Sequence, residues 1–148
     1  MTEPRKGFPI PIPFVDDLGL RCTHMGGGVS ELELEIEPRH HNGWEMAHGG
    51  VLMTLLDVAM AVACRSADTE DGRGVVTIEM KTSFMAPGRG TLIARGDCVH
   101  RTTSMAFCEA EIVDADGKLV ARSSGTFKYV RRSPPQRAET APDAGADG

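Results

Sequence analysis

A chain of 148 residues with 41% apolar residues and a formal net charge of −5 is expected to be a single domain with a substantial core. The acidic balance argues against nucleic acid as the main partner, because no basic stripe stands ready to neutralise phosphates. Lys128, Arg131 and Arg132 form the one cluster of bases, and it reads as a solvated strand end.

Residues 1–13 carry four prolines and no apolar run of the kind a leader peptide needs, so a flexible N-terminus is expected there. The domain proper is expected over 14–130. Residues 14–19 suit a short helix stopped by Gly19, and the three glycines at 26–28 suit a turn. Segment 30–38, SELELEIEP, alternates without error. Leu32, Leu34 and Ile36 point one way, and Glu31, Glu33, Glu35 and Glu37 the other, the pattern of a half-buried antiparallel strand with a wet acidic face.

A loop over 38–47 leads into the stretch on which the functional reading rests, NGWEMAHGGVLMTLLDVAMAVACR at 42–65. From Gly49 to Cys64 it is apolar or small for about four helical turns, with Asp57 the single charge. A helix apolar on every side is expected to be buried, and a carboxylate inside one needs partners or a cleft of its own. The stretch is expected to be too short and too interrupted to cross a bilayer.

A polar turn at 68–74 follows, then strands over 75–86, 91–101, 104–114 and 119–130. The first ends at Pro87-Gly88, and a hairpin signal, Asp114-Ala115-Asp116-Gly117, separates the last two. Residues 131–148 hold almost no large apolar residue and read as a disordered tail. Cys22, Cys64, Cys98 and Cys108 show no CxxC spacing and are expected as reduced core residues of a cytoplasmic protein. The pair His40-His41 lacks the spacing of a helical metal motif, and a metal site is not expected. The order of elements implies an α+β domain in which one antiparallel sheet wraps one long buried helix. A lone sheet cannot cover such a helix on all sides, so a homo-oligomer is expected on burial grounds.

The start of that helix is His48-Gly49-Gly50. A helix N-terminus presents unpaired N–H groups and partial positive charge, and glycine lets a ligand approach the backbone closely. Such a site suits a carbonyl oxygen that becomes an oxyanion during acyl transfer, while a carboxylate nearby can attack the carbonyl or deprotonate water. Gly49 and Asp57 are eight residues apart, about 12 Å along a helix. They cannot both reach one carbonyl, so a shared reaction requires them to come from two subunits of a dimer. Packing glycines and a paired structural aspartate are the bland alternative.

The whole arrangement resembles the hotdog-fold acyl-CoA thioesterases of the phenylacetate-pathway, PaaI-like group. Asn42, His48-Gly49-Gly50 and Asp57 keep that family's spacings, and the likeness continues through VVTIEMKTSFMAPGRG at 75–90 and EAEIVDADGKLVARSSGTF at 109–127. The resemblance implies hydrolysis of a small aryl or medium-chain acyl-CoA at a dimer interface, with dimers pairing into a tetramer. It implies Asp57 as nucleophile or general base and the Gly49 amide as carbonyl donor. Asn42 would orient the carbonyl or the water, His48 would support the loop, and Thr77 would help hold the water. Gly50, Arg89, Arg101 and Lys128 are implied as substrate contacts, the last three to CoA phosphates. Met80, Phe84 and Met85 are candidates for the acyl lining. CoA belongs to the substrate, so the resemblance implies no separate cofactor. The alternatives are an acyl-CoA-binding module without catalysis, or a hotdog hydratase or dehydratase. The latter would place a histidine in a Pro-Gly loop ahead of the helix, and no such loop occurs between Pro38 and Gly50.

Overall fold

A computed structural model of the chain describes residues 7–8, 10–68, 70 and 72–131. Residues 132–148 of the expected tail and residues 1–6 and 9 of the Pro-rich segment lie outside the described residues, while Arg131, expected in that tail, ends a strand. The elements run α1 (Pro13–Leu18), β1 (Arg21–Gly26), β2 (Val29–Glu35), a 3-10 turn (Pro38–His40), α2 (Gly49–Ala67), β3 (Arg73–Phe84), β4 (Thr91–Arg101), β5 (Met105–Val113) and β6 (Leu119–Arg131). Six strands form one antiparallel sheet in the order β1-β2-β4-β5-β6-β3, wrapped around α2. The α+β architecture expected from the sequence is the one observed.

The sheet alternates as its sequence demands. Ser30, Leu32 and Leu34 of β2 and Leu92, Ala94 and Gly96 of β4 turn inward, while the outer face carries paired charges such as Arg95–Glu31 at 3.3 Å and Arg122–Glu111 at 3.5 Å. Strand β2 ends at Glu35, three residues before its expected limit, because Pro38 opens the 3-10 turn. Strand β3 ends at Phe84 because the amides of Met85 and Ala86 both donate to the Val120 carbonyl, at 2.8 and 3.1 Å. Strand β1 was not expected. Only Cys22 is buried in it, and a bulge after that residue breaks the alternation on which sequence reading depends.

Helix α2 lies unusually close to the sheet. Ser30 Oγ donates to the Ala59 carbonyl at 2.6 Å, and a Cβ on Gly96 would fall on that same carbonyl and 2.6 Å from Ser30 Oγ. Only glycine fits there. Leu52, Leu55, Leu56, Val58, Ala59, Met60, Val62, Ala63 and Cys64 fill the interior of the sheet. At 19 residues and a mean hydropathy of 1.5, α2 is long and apolar enough to cross a membrane, contrary to the expectation from the sequence. Its packing inside the sheet is what assigns it to the core. A second correction concerns the burial of the helix: Met53 is 38% exposed, and Gly49, Gly50, Thr54 and Asp57 remain partly accessible, so one stripe is left uncovered by this chain's own sheet.

The far end of α2 is clamped. Tyr129 Oη donates to the Cys64 carbonyl at 2.7 Å, and the Arg73 guanidinium lies 4.6 Å from the Tyr129 ring centroid. Asp68, whose side chain is 6% exposed, accepts from Arg73 through both oxygens at 2.8 and 3.0 Å and from Arg101 at 3.3 Å. The Arg73 hydrogen bonds hold the Asp68 carboxyl below the usual carboxylate range. The four cysteines are free; burial pushes the Cys98 thiol up to about 11, and raises Cys22 as well.

Two outcomes test this framework. Gly96→Ala is expected to cost about 1–3 kcal/mol or more by overpacking, read in a denaturant melt. Gly74→Ala, with nothing within 4 Å of the added Cβ, serves as its control. Asp68→Asn is expected to lower the Tm at pH 7 by roughly 4 °C or more. A lowered native pKa stabilises the fold above the unfolded value and ceases to do so as pH falls through the native one. The gap between wild type and Asp68→Asn should therefore close toward acid pH, and a gap of constant size would refute the assignment.

Candidate active site

The segment before α2 is held from three directions. Arg39 donates to the carbonyls of Asp17 and of Leu18, the latter at 3.2 Å. The Glu37 amide donates to His40 Nδ1 at 3.0 Å, so the proton sits on Nε2, which donates to the Leu18 carbonyl at 2.8 Å. His40 is thus a buried structural histidine. Further on, the Ala47 amide donates to the Gly88 carbonyl at 2.9 Å, and the His48 amide to the His40 carbonyl at 2.8 Å. Gly88 is tightly enclosed: a Cβ there would lie 3.1 Å from Leu92 and 3.2 Å from Ala47.

His48 is the N-cap of α2. Its backbone is extended, with φ −60° and ψ 139°, and its Nδ1 accepts the Gly50 amide at 2.9 Å. Its carbonyl accepts from Val51 at 2.9 Å and Leu52 at 3.2 Å. The Gly49 amide has no acceptor among the described residues, which leaves one N–H free at the positive end of a 19-residue helix. Sequence reading expected loop support from His48; the geometry makes it a cap that orients the Gly49 peptide.

Asn42 closes the loop ahead. Its Oδ1 accepts the amides of Trp44 at 2.9 Å and Met46 at 3.4 Å, while its own backbone amide donates to the Met46 carbonyl at 2.8 Å. The carboxamide oxygen is therefore occupied, and the Nδ2 group remains available to donate. Glu45, at φ 57°, makes the left-handed step that lets this loop return.

Asp57 stands two turns into α2, half-buried beside the sheet edge and not enclosed as the sequence suggested. Thr77 Oγ1 of β3 donates to its Oδ1 at 2.7 Å, and Oδ2 has no hydrogen-bond partner among the described residues. A bulge in β3 between Thr77 and Glu79 inserts Ile78 as an extra residue. Thr77 and Phe84 are an odd number of positions apart, so without the bulge they would face opposite ways; with it, both face α2. Phe84 touches the helix start, with ring atoms 3.7 Å from the position of a Cβ on Gly49.

One chain brings together Thr77 with Asp57, and Phe84 with Gly49. It does not bring the two groups together, since Gly49 and Asp57 remain about 12 Å apart along the helix. The three expected phosphate contacts are also dispersed. Arg89 is exposed in the turn after β3, beside Gly88 and the helix start; Arg101 pairs with Asp68 at the opposite end of α2; Lys128 is exposed on β6, in register with Val76. Met80 faces inward and is half-buried, packed against the core, whereas Met85 is exposed. Among the described residues no three His, Cys, Asp or Glu side chains converge as a metal set. Met53 and the Ile78 bulge escaped the sequence reading. Met53 could have been found from its i, i+4 relation to both Gly49 and Asp57, but nothing in the strand pattern announces the bulge.

Comparison with known proteins agrees with this architecture. The family model of the thioesterase superfamily matches residues 45–121, just over half of the chain. The acyl-coenzyme A thioesterase PaaI of Escherichia coli is 30% identical over 110 residues, covering 73% of this chain and 76% of that one. The structure of the E. coli PaaI protein from the phenylacetic acid degradation operon superposes with a TM-score of 0.73 at 28% identity, covering 79% and 83% of the two chains. A conserved protein of Pseudomonas aeruginosa gives a TM-score of 0.76 at 30% identity over 81% of this chain and 95% of its own. The chain belongs to the thioesterase superfamily, as a hotdog-fold member similar to the PaaI proteins.

Proposed function

We propose that this thioester hydrolase acts on acyl-CoA, releasing a small aryl or medium-chain acid and free CoA, at two equivalent sites in the interface of a homodimer. The observation that carries the reading is the pairing of a carboxylate held by Thr77 with an unengaged amide at the start of the same helix. The Gly49 N–H would receive the thioester oxygen and stabilise the charge that develops there. Asn42 Nδ2, free to donate, would steady the carbonyl or the water. Asp57 Oδ2 would act in one of two ways. As a general base it takes a proton from water whose oxygen attacks the carbonyl carbon; as a nucleophile it forms an acyl anhydride that water then opens. In either route the C–S bond breaks and the CoA thiolate takes up a proton. No metal or cofactor enters these steps.

The dimer reading rests on β3. It is an edge strand of 12 residues with Val76, Ile78 and Phe84 exposed, and such an edge is a template for another strand. Antiparallel pairing of two β3 strands, with Thr77 of one copy opposite Phe84 of the other, carries Asp57 of the first toward Gly49 of the second. The bulge at Ile78 is what lets both side chains face the same side in that register. The pairing would also cover the stripe of α2 left open in one chain. Pairs of dimers would make a tetramer, with Arg89 beside the helix start as the best-placed phosphate contact and Arg101 and Lys128 further off. Four free thiols, three of them buried, support a reducing, cytoplasmic setting.

Thiol release from an acyl-CoA panel tests the reading. Asp57→Ala is expected to lower kcat by about 10²–10⁴. Gly49→Pro is expected to lower it by about 10²–10³ while the fold persists. Proline is favoured at the first helical position, the extended His48 suits a residue that precedes proline, and no existing hydrogen bond is lost. Full activity in either variant removes that group from the mechanism, and tight CoA-ester binding without turnover by wild type would point to a binding module. Refolding the two inactive variants together in equal amounts should restore about a quarter of wild-type activity, one intact site in each of the mixed half of the dimers. No recovery would place both groups in one chain's site.

A further inference from the structure

We infer that Cys98 and Cys108 form a site of reversible oxidation, where a hydroperoxide converts the two thiols into a disulfide across β4 and β5. The inference does not depend on the thioesterase reading; it rests on strand register. Cys98 and Cys108 are direct partners in the β4–β5 ladder. The Cys98 amide donates to the Gly28 carbonyl at 2.8 Å, on the β2 side of β4 and away from β5. The two cysteines are therefore a non-hydrogen-bonded pair, the kind whose Cα atoms lie about 4.5 Å apart and whose side chains approach most closely. Disulfides span Cα separations of roughly 4.4–6.8 Å, so this pair meets the requirement where it stands.

A third thiol lies beside them. Cys64 of α2 is fully buried, and both it and Cys98 are within hydrogen-bonding reach of the Cys108 thiol. Cys64 is held in place, however: its Sγ donates to the Ala61 carbonyl at 3.3 Å, and its own carbonyl accepts from Tyr129. Of the three, Cys98 alone is half-buried. It flanks the glycine turn ahead of β2, where a Cβ on Gly28 would stand 3.7 Å from the Cys98 Cβ. An oxidant thus meets Cys98 first, with Cys108 opposite it as the resolving thiol.

The chemistry balances within the pair. Cys98 gives up its proton, and its sulfur attacks one oxygen of the hydroperoxide. The O–O bond breaks, an alcohol or water leaves, and Cys98 becomes a sulfenic acid. The Cys108 sulfur then attacks the Cys98 sulfur, the S–O bond breaks, and the departing hydroxide takes up the Cys108 proton as water. Two thiols have lost two electrons, and the peroxide has gained them. Burial holds the Cys98 thiol up at about 11, so the thiolate is scarce at neutral pH and the first step quickens as pH rises. With a resolving thiol directly opposite, the sulfenic acid is consumed before more peroxide carries it to a sulfinic acid.

The test treats the folded protein with hydrogen peroxide, counts thiols after denaturation, and locates the bridge by peptide mass mapping. The count is expected to fall from four to two, with residues 98 and 108 linked, and to return on adding dithiothreitol. The initial rate should rise about tenfold per pH unit between pH 7 and 9. Cys22→Ser should still form the bridge, and Cys98→Ser should keep every thiol it retains. Cys108→Ala should take Cys98 to a sulfinic acid that dithiothreitol does not restore. If that core variant does not fold, Cys98→Ser, altered at a half-buried position, still decides. A count that stays at four, a bridge through Cys22 or Cys64 or between chains, or a rate indifferent to pH would overturn the assignment.

Discussion

The contact on which the rest depends is the one between the Ala59 carbonyl of α2 and the inner face of β2 and β4. Ser30 donates to that carbonyl, and Gly96 leaves the space it occupies. This fixes the depth at which the helix lies in the sheet, while Tyr129 on the Cys64 carbonyl fixes its far end. Both ends of the candidate site are parts of this one helix. A shift of α2 by a fraction of a turn would move the Gly49 amide away from Phe84 and the Asp57 carboxylate away from Thr77 together. Placing the candidate groups on a helix so firmly seated gives them a defined position.

The same helix carries a division of labour. The last turn and the residue beyond it are tied by Asp68, Arg73, Arg101 and Tyr129, a set of contacts that satisfies its charges internally. The first turn is left with one amide unsatisfied, even though His48 caps its neighbour. The middle of the helix leaves a stripe uncovered, running from Gly49 through Met53 to Asp57. Along that side the described residues leave the Gly49 amide without an acceptor and Met53 exposed. That side also carries the open edge of β3, so burial, hydrogen bonding and strand pairing all ask for the same complement there.

Much of the fold was legible because its periodicities are clean. The alternation in β2 stops where Pro38 prevents its continuation, and the apolar run of α2 begins where His48 and two glycines say it should. The hairpin between β5 and β6 is closed as its Asp-Gly signal implies, with Asp114 accepting from the amides of Asp116 and Lys118. Strand β1 was illegible because a bulged edge strand with one buried residue has no period to detect. The inserted Ile78 was illegible for a related reason. A β-branched residue in a strand looks the same whether it pairs or bulges, and only the partner strand reveals the extra position.

The sequence by itself determined the two endpoints of the proposed site, the glycine at a helix start and the lone acid eight residues on, because residue type and helical spacing are local properties. It also determined that these endpoints are too far apart to meet in one chain, since helix rise does not depend on context. Only the tertiary structure decided which side of the helix stays uncovered, that Thr77 reaches Asp57, that Phe84 flanks Gly49, and that Arg101 is engaged with Asp68 far from the helix start. Each of these depends on a sheet register and a single bulge, and register is set by the summed packing of six strands around α2, not by any short run of residues.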